Sequence, residues 1–206
     1  MMHGIKRNSI LLGSVVLLGG CVLQPVKTQS NITYLLSSPS QGTAQSVSTN
    51  AKKNLLVSVP TAPRWLSTDQ MAYNLSSSRI NYFSQNQWAA PPAQMLEPII
   101  AEALSRSGRF HAVVQAPFGG NVDERLDVRI LNMQQDFTQK PSVYRVTLQA
   151  QLINQVSGNI IRTRYFNYAI PTTSNDPEGG VDAANKAIEE WIPQLIDFCR
   201  KSPANI

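Results

Sequence analysis

The stretch Val143 to Asn154 (VYRVTLQAQLIN) restricts the fold more than any other. Val146, Leu148, Ala150 and Leu152 alternate with Arg145, Thr147, Gln149 and Gln151, an apolar period of two. That period sends successive side chains to opposite faces of a strand, so one face is dry and the other wet. A strand wet on one face pairs antiparallel, because parallel strands are covered on both sides and read as unbroken apolar runs. The chain is therefore expected to build a largely antiparallel sheet with its helices packed on it.

The rest of the chain supplies the other elements. Ile32 to Leu36 and Asn54 to Val59 (NLLVSV) read as strands, separated by a Ser-, Thr- and Gln-rich loop and ended by Pro60. Gln70 to Leu75, with Met71, Tyr73 and Leu75 on one face, turns at Ser76-Ser77-Ser78 into Arg79 to Phe83, which predicts a hairpin. Pro91 and Pro92 suit the first turn of a helix, where a missing N–H costs nothing. The helix follows in the stripe Leu96, Ile99, Ile100, Ala103 and Leu104, and Gly108 supplies its stop. Phe110 to Val114 is a short strand. Leu126 to Phe137 alternates and then slips phase at Leu131, which predicts a bulge. After Val143 to Asn154 a Ser157-Gly158-Asn159 turn leads into Ile160 to Ile170. Asp176 caps a last helix carrying Val181, Ala184, Ile188, Trp191 and Leu195, with Gly179-Gly180 delaying its regular turns and Pro193 expected to kink or split it. The order is ββββ-α-ββββ-α, an α/β fold of the α+β kind with a mixed, largely antiparallel sheet and two main helices.

The N-terminus has a different character. Lys6 and Arg7 precede nine mostly apolar residues, Ile10 to Leu18, and then Gly19-Gly20-Cys21. Charged head, short apolar run and small-residue site are the parts of a secretory signal, and the run falls short of the roughly 20 residues that span a bilayer. Leu18-Gly19-Gly20-Cys21 resembles the bacterial lipobox. That likeness implies a signal peptide over 1–20 and a mature chain beginning at Cys21, which carries a diacylglycerol and an N-acyl lipid. Val22, in place of the aspartate that retains lipoproteins at the inner membrane of Gram-negative bacteria, points to the outer membrane and its periplasmic face. Residues 21–31 then form a lipidated tether, 32–201 one domain, and 202–206 a tail.

Charge and composition exclude several functions. Without Lys6 and Arg7, sixteen basic residues stand against thirteen acidic ones, and they are scattered rather than gathered on the basic face that nucleic acid requires. One histidine, His111, follows the cleavage site, with no second His and no Cys at metal-ligand spacing, so neither a metal, a catalytic residue nor a cofactor beyond the lipid on Cys21 is expected. Asp123, Glu124, Asp127 and the Glu189-Glu190 pair are expected to be solvated, His111 to be a satisfied structural histidine, and Cys199 to be a buried small hydrophobe. What remains is an aromatic and proline-rich segment with Arg64, Trp65, Tyr73, Tyr82, Trp88, Pro91 and Pro92. These residues are candidates for binding a partner or an acyl chain, since aromatics give large rigid contact area, and for Tyr73, Tyr82 and the tryptophans a place in the core is the competing reading.

Tyr34, Leu36, Val57-x-Val59-Pro60, Pro63, Leu66, Gln70-Met71-Ala72-Tyr73, Ile80-x-Tyr82 and above all Trp88-Ala89-x-Pro91-Pro92-x-x-Met95-Leu96 resemble the ABC-type transport auxiliary lipoproteins, the PqiC-like family, over about Ile32 to Ile196. The resemblance implies an outer-membrane lipoprotein that works with an MCE-domain protein of a lipid-transport system, other members supplying ATP hydrolysis and the conduit. A lipid-binding carrier with an acyl groove and a general envelope or secretion-system scaffold are the alternatives. A lipid ligand and a homo-oligomer are both compatible with the sequence.

Overall fold

A computed structural model describes residues 31–37 and 53–200. The predicted signal, Cys21, all of the tether before Asn31, most of the Ser- and Gln-rich loop and the tail lie outside the described residues. The elements are β1 (Ile32–Tyr34), β2 (Asn54–Val57), β3 (Gln70–Ser76), β4 (Arg79–Trp88), α1 (Pro92–Arg106), β5 (Ala112–Gln115), β6 (Glu124–Asp136), β7 (Val143–Asn154), β8 (Ile160–Pro171) and α2 (Pro177–Arg200), the order expected from the sequence.

All eight strands join one mixed sheet. β7 is antiparallel to β6 along its whole length and to β8 on its other side, so the alternation from Val143 to Asn154 occupies the middle of the antiparallel half. Leu131 is the extra residue where the β6–β7 register shifts between Ile130 and Asn132, the bulge that the phase slip predicts. The other edge of β6 is divided. Its start pairs parallel with β2, which also holds β5; its end pairs parallel with β3 at Tyr73↔Gln135 and Asn74↔Asp136. Beyond β3 lie β4, antiparallel, and β1, parallel to β4 at the edge.

The helices cover one face. Leu126, Val128 and Ile130 of β6 and Val146, Leu148, Ala150 and Leu152 of β7 are buried with Leu96, Ile100 and Leu104 of α1 and Ile188, Trp191 and Leu195 of α2. Each such side chain removed from water contributes about 1.5–3 kcal/mol, which makes this layer the main source of stability. Phe166 of β8 meets Trp191 and Phe198 edge-on at 6.2 Å. Cys199 is buried beside them, as expected, and burial pushes its thiol up to about 12. Leu36 is buried, and the Ser37 N–H donates to Asn185 Oδ1 at 2.8 Å, tying the end of β1 to α2.

Several expectations are corrected. α2 runs unbroken through Pro193, which sits on the exposed side, where the carbonyl one turn back is open to hydration. Gly179 and Gly180 do not delay α2; they are buried in its first turn. Asp176 caps the helix through Oδ1 to the Gly179 N–H at 2.8 Å, and a Cβ on Gly180 would lie 2.4 Å from Gln135 Oε1. The helix can approach the sheet there only without a side chain. β4 extends to Trp88, beyond the predicted Phe83. In the hairpin, register shifts replace the single apolar face expected for Met71, Tyr73 and Leu75: Met71 and Ala72 are buried while Leu75 is exposed. Phe110 is a core residue just before β5 rather than part of it.

Candidate functional site

The segment leaving β2 is held against the middle of β6. Ser58 N–H donates to the Leu126 carbonyl at 3.1 Å, Thr61 N–H to the Val128 carbonyl at 2.9 Å, and Ile130 N–H to the Thr61 carbonyl at 2.8 Å. Pro60 and Pro63 then fix the backbone, and a short 3-10 turn, Arg64–Leu66, is pinned by buried Leu66. The Tyr82 hydroxyl donates to the Trp65 carbonyl at 3.0 Å, coupling this turn to β4. Trp65, half-buried, lines a cleft of about 430 Å³ with Pro63, Arg129 and the bulged Leu131. A second cleft of about 330 Å³ continues from Arg129 and Thr61 to Arg125, Asp127, Gln149 and Gln151 across the sheet face that carries no helix.

Charge along this face is uneven. Asp127 receives the Ser58 hydroxyl at 2.7 Å and both ends of the Arg125 guanidinium, Nε at 3.0 Å and NH2 at 3.1 Å, so this carboxylate is satisfied. Arg129 and Arg64, both exposed, have no ion-pair or hydrogen-bond partner for their guanidinium groups among the described residues. The arrangement offers free cationic donors beside an indole, suited to a carboxylate- or phosphate-bearing surface.

The sequence candidates separate into surface and core. Trp65 lines the cleft, Arg64 precedes it in the exposed turn without lining it, and Tyr82 supports the turn. Tyr73 lies elsewhere, stacked against Phe83 at 4.5 Å and edge-on to Phe137 at 5.7 Å. Trp88 is 1% exposed, and Pro92 is buried in the first turn of α1 with Pro91 half-buried before it. Trp88 and Pro92 are packing residues and contribute no exposed binding surface. Arg129 and Leu131 are the site residues not singled out from sequence; their signals are a charge on the wet side of an alternating strand and the phase slip beside it.

The acidic candidates are engaged rather than solvated. Glu124 is 5% exposed and ion-paired with Lys53; Asp123 accepts the Asn54 N–H at 2.7 Å. Both hold the start of β2 against β6. His111 is exposed instead of enclosed, while Glu189 and Glu190 do face solvent. Among the described residues no group of three or more His, Cys, Asp or Glu is placed to hold a metal, and no helix is long and apolar enough to cross a membrane.

A mixed eight-stranded sheet with two helices on one face defines an α+β domain by its architecture. Residues 34–195 match the family described as the ABC-type transport auxiliary lipoprotein component, and the chain belongs to that family. Its fold is similar to that of protein XCC0632 from Xanthomonas campestris, at 20% identity over 83% of this chain and 92% of that one, with a TM-score of 0.68. A second solved structure, of an uncharacterized protein, is similar at 16% identity, 82% and 99% coverage and a TM-score of 0.65. Comparison with curated proteins finds no match.

Proposed function

We propose that the chain is a non-enzymatic accessory of an ABC/MCE-type system that moves lipid between membranes. In this reading Cys21 anchors it by its diacylglycerol and N-acyl chains to the periplasmic face of the outer membrane, and the Trp65 cleft docks the MCE-domain partner. Membership of an auxiliary lipoprotein family supports the transport role. The observation that carries the docking site is a pair of exposed guanidinium groups with no partner among the described residues, Arg129 lining the cleft with half-buried Trp65 and Arg64 next to Trp65 in the turn. A partner that desolvates an indole and pairs two free arginines draws on the residue types that dominate interface energetics.

Against the carrier alternative, among the described residues the layer between sheet and helices contains fully buried Leu55, Leu96, Ile130 and Trp191. The test is copurification of the MCE partner from envelope membranes. R64A/R129A and W65A are expected to reduce recovery at least tenfold, equivalent to about 1.4 kcal/mol, while the protein stays folded and membrane-bound. Undiminished recovery with both variants would remove this surface from the docking role.

A further inference from the structure

The β3–β4 hairpin has a second unused surface. Because β3 pairs with the last residues of β6 and then continues, its two-residue loop, Ser77-Ser78, projects past the end of the sheet beside the turn that joins β6 to β7. On this projection Leu75 is 62% exposed and Ile80 38% exposed. Arg79 in the hairpin and Lys140 in the neighbouring turn are exposed and have no ion-pair partner among the described residues. Asp136, at the end of β6 beside this hairpin, is taken up by Arg145 at 2.7 Å and Thr138 at 2.6 Å. Asp176 and Glu178 lie at the start of α2 at the same end of the sheet, which confines the apolar and basic surface to the hairpin side.

The first described strand starts toward this side. Asn31 bonds Gln87, and β1 runs parallel to β4, away from the hairpin loop, so its start faces that loop. From Asn86, level with Ile32, to Arg79 is seven residues of β4, about 23 Å. The ten residues from Val22 to Asn31 reach at most about 35 Å, so Cys21 can pass the hairpin loop without reversing direction. The opposite end, marked by exposed Val156, lies against the direction of the chain.

We propose that the Leu75–Ile80 hairpin tip is a membrane-contact site, its two aliphatic side chains entering the headgroup region and Arg79 and Lys140 meeting lipid phosphates. This rests on the reading of Cys21 as a lipid anchor. The acyl chains hold the protein, and the tip orients it, turning the end with Val156 away from the bilayer.

The experiment places a nitroxide on S77C or V156C in the full-length protein on vesicles of phosphatidylethanolamine and phosphatidylglycerol, with the mass of the mature chain reporting acylation independently. The expected result is that the S77C label loses collisional access to a water-soluble nickel chelate and gains access to oxygen, while the V156C label keeps its nickel access. L75D/I80D should restore nickel access at position 77 without releasing the acylated chain. An S77C label as accessible as V156C overturns the proposal, whether or not the chain is acylated. So does shielding at position 77 that is already present in C21S protein without vesicles, which would mark a protein contact there. A label that inserts in a chain found unacylated keeps the tip contact and removes the lipid anchor.

Discussion

Helix propensity and packing make opposite predictions for Gly180, and the structure decides between them. Replacing a glycine inside a helix by alanine ordinarily stabilises by about 1 kcal/mol. At Gly180 the new Cβ would stand 2.4 Å from Gln135 Oε1, so the Gln135 amide must move. That amide is buried and held by Nε2 to Ser142 Oγ at 3.0 Å and to the Asp176 carbonyl at 3.1 Å. Losing both bonds costs about 2 kcal/mol, leaving G180A less stable by about 1 kcal/mol. For a domain of this size that lowers Tm by about 2–4 °C. In a Q135A background the obstruction is gone and G180A should stabilise, so the double-mutant cycle carries a coupling of about 2 kcal/mol. Thermal melts of the four C21S proteins measure it. A G180A protein that melts above its parent, or a coupling under about 0.5 kcal/mol, would refute the close approach of α2 to β6.

Two further measurements follow from the same packing. W88A, which empties a buried indole site, should cost about 3–5 kcal/mol, and W65A about half as much or less, so equal losses in urea titrations would contradict the division into core and cleft. Burial raises the Asp136 carboxyl, but hydrogen bonds from Thr138 and Arg145 more than reverse this and hold it below the usual carboxylate value. Its contribution is therefore present above about pH 4 and is lost as pH falls below that value, and D136N should be less stable than wild type at pH 7 with the gap closing in acid. A gap that stays constant down to pH 2 would show that the Asp136 charge is not what stabilises this corner.

Local patterns in the sequence located the elements, and long-range pairing decided what they did. The alternation of Val143 to Asn154, the stripe from Leu96 to Leu104 and the slip at Leu131 depend on near neighbours along the chain, and each has the expected form in the structure. The parallel attachment of β2 and β3 to one edge of β6 joins residues 60 or more apart and leaves no periodic trace. The candidate site divides in the same way. Arg64 and Trp65 stand out because prolines fix a corner, whereas the freedom of Arg129 depends on Arg125 and Ser58 having already taken up Asp127. Trp88 is ambiguous for a related reason: in the sequence it lies between the predicted hairpin and helix, and it is core because β4 extends as far as it does.

The divided edge of β6 also bears on when the molecule can exist. In a chain that crosses a membrane N-terminus first, β2 emerges with Leu55 and Val57 uncovered, and no strand able to hold it arrives until β5 and β6 follow more than 50 residues later. β1, β4 and β3 can pair with one another earlier, but they lack β6, which joins them to β2 and the rest of the sheet. Attachment of β2 and closure of the core therefore wait for the second half. For a chain exported in that way, late completion of this kind keeps it threadable, and the structure locks once β6 has reached the far side.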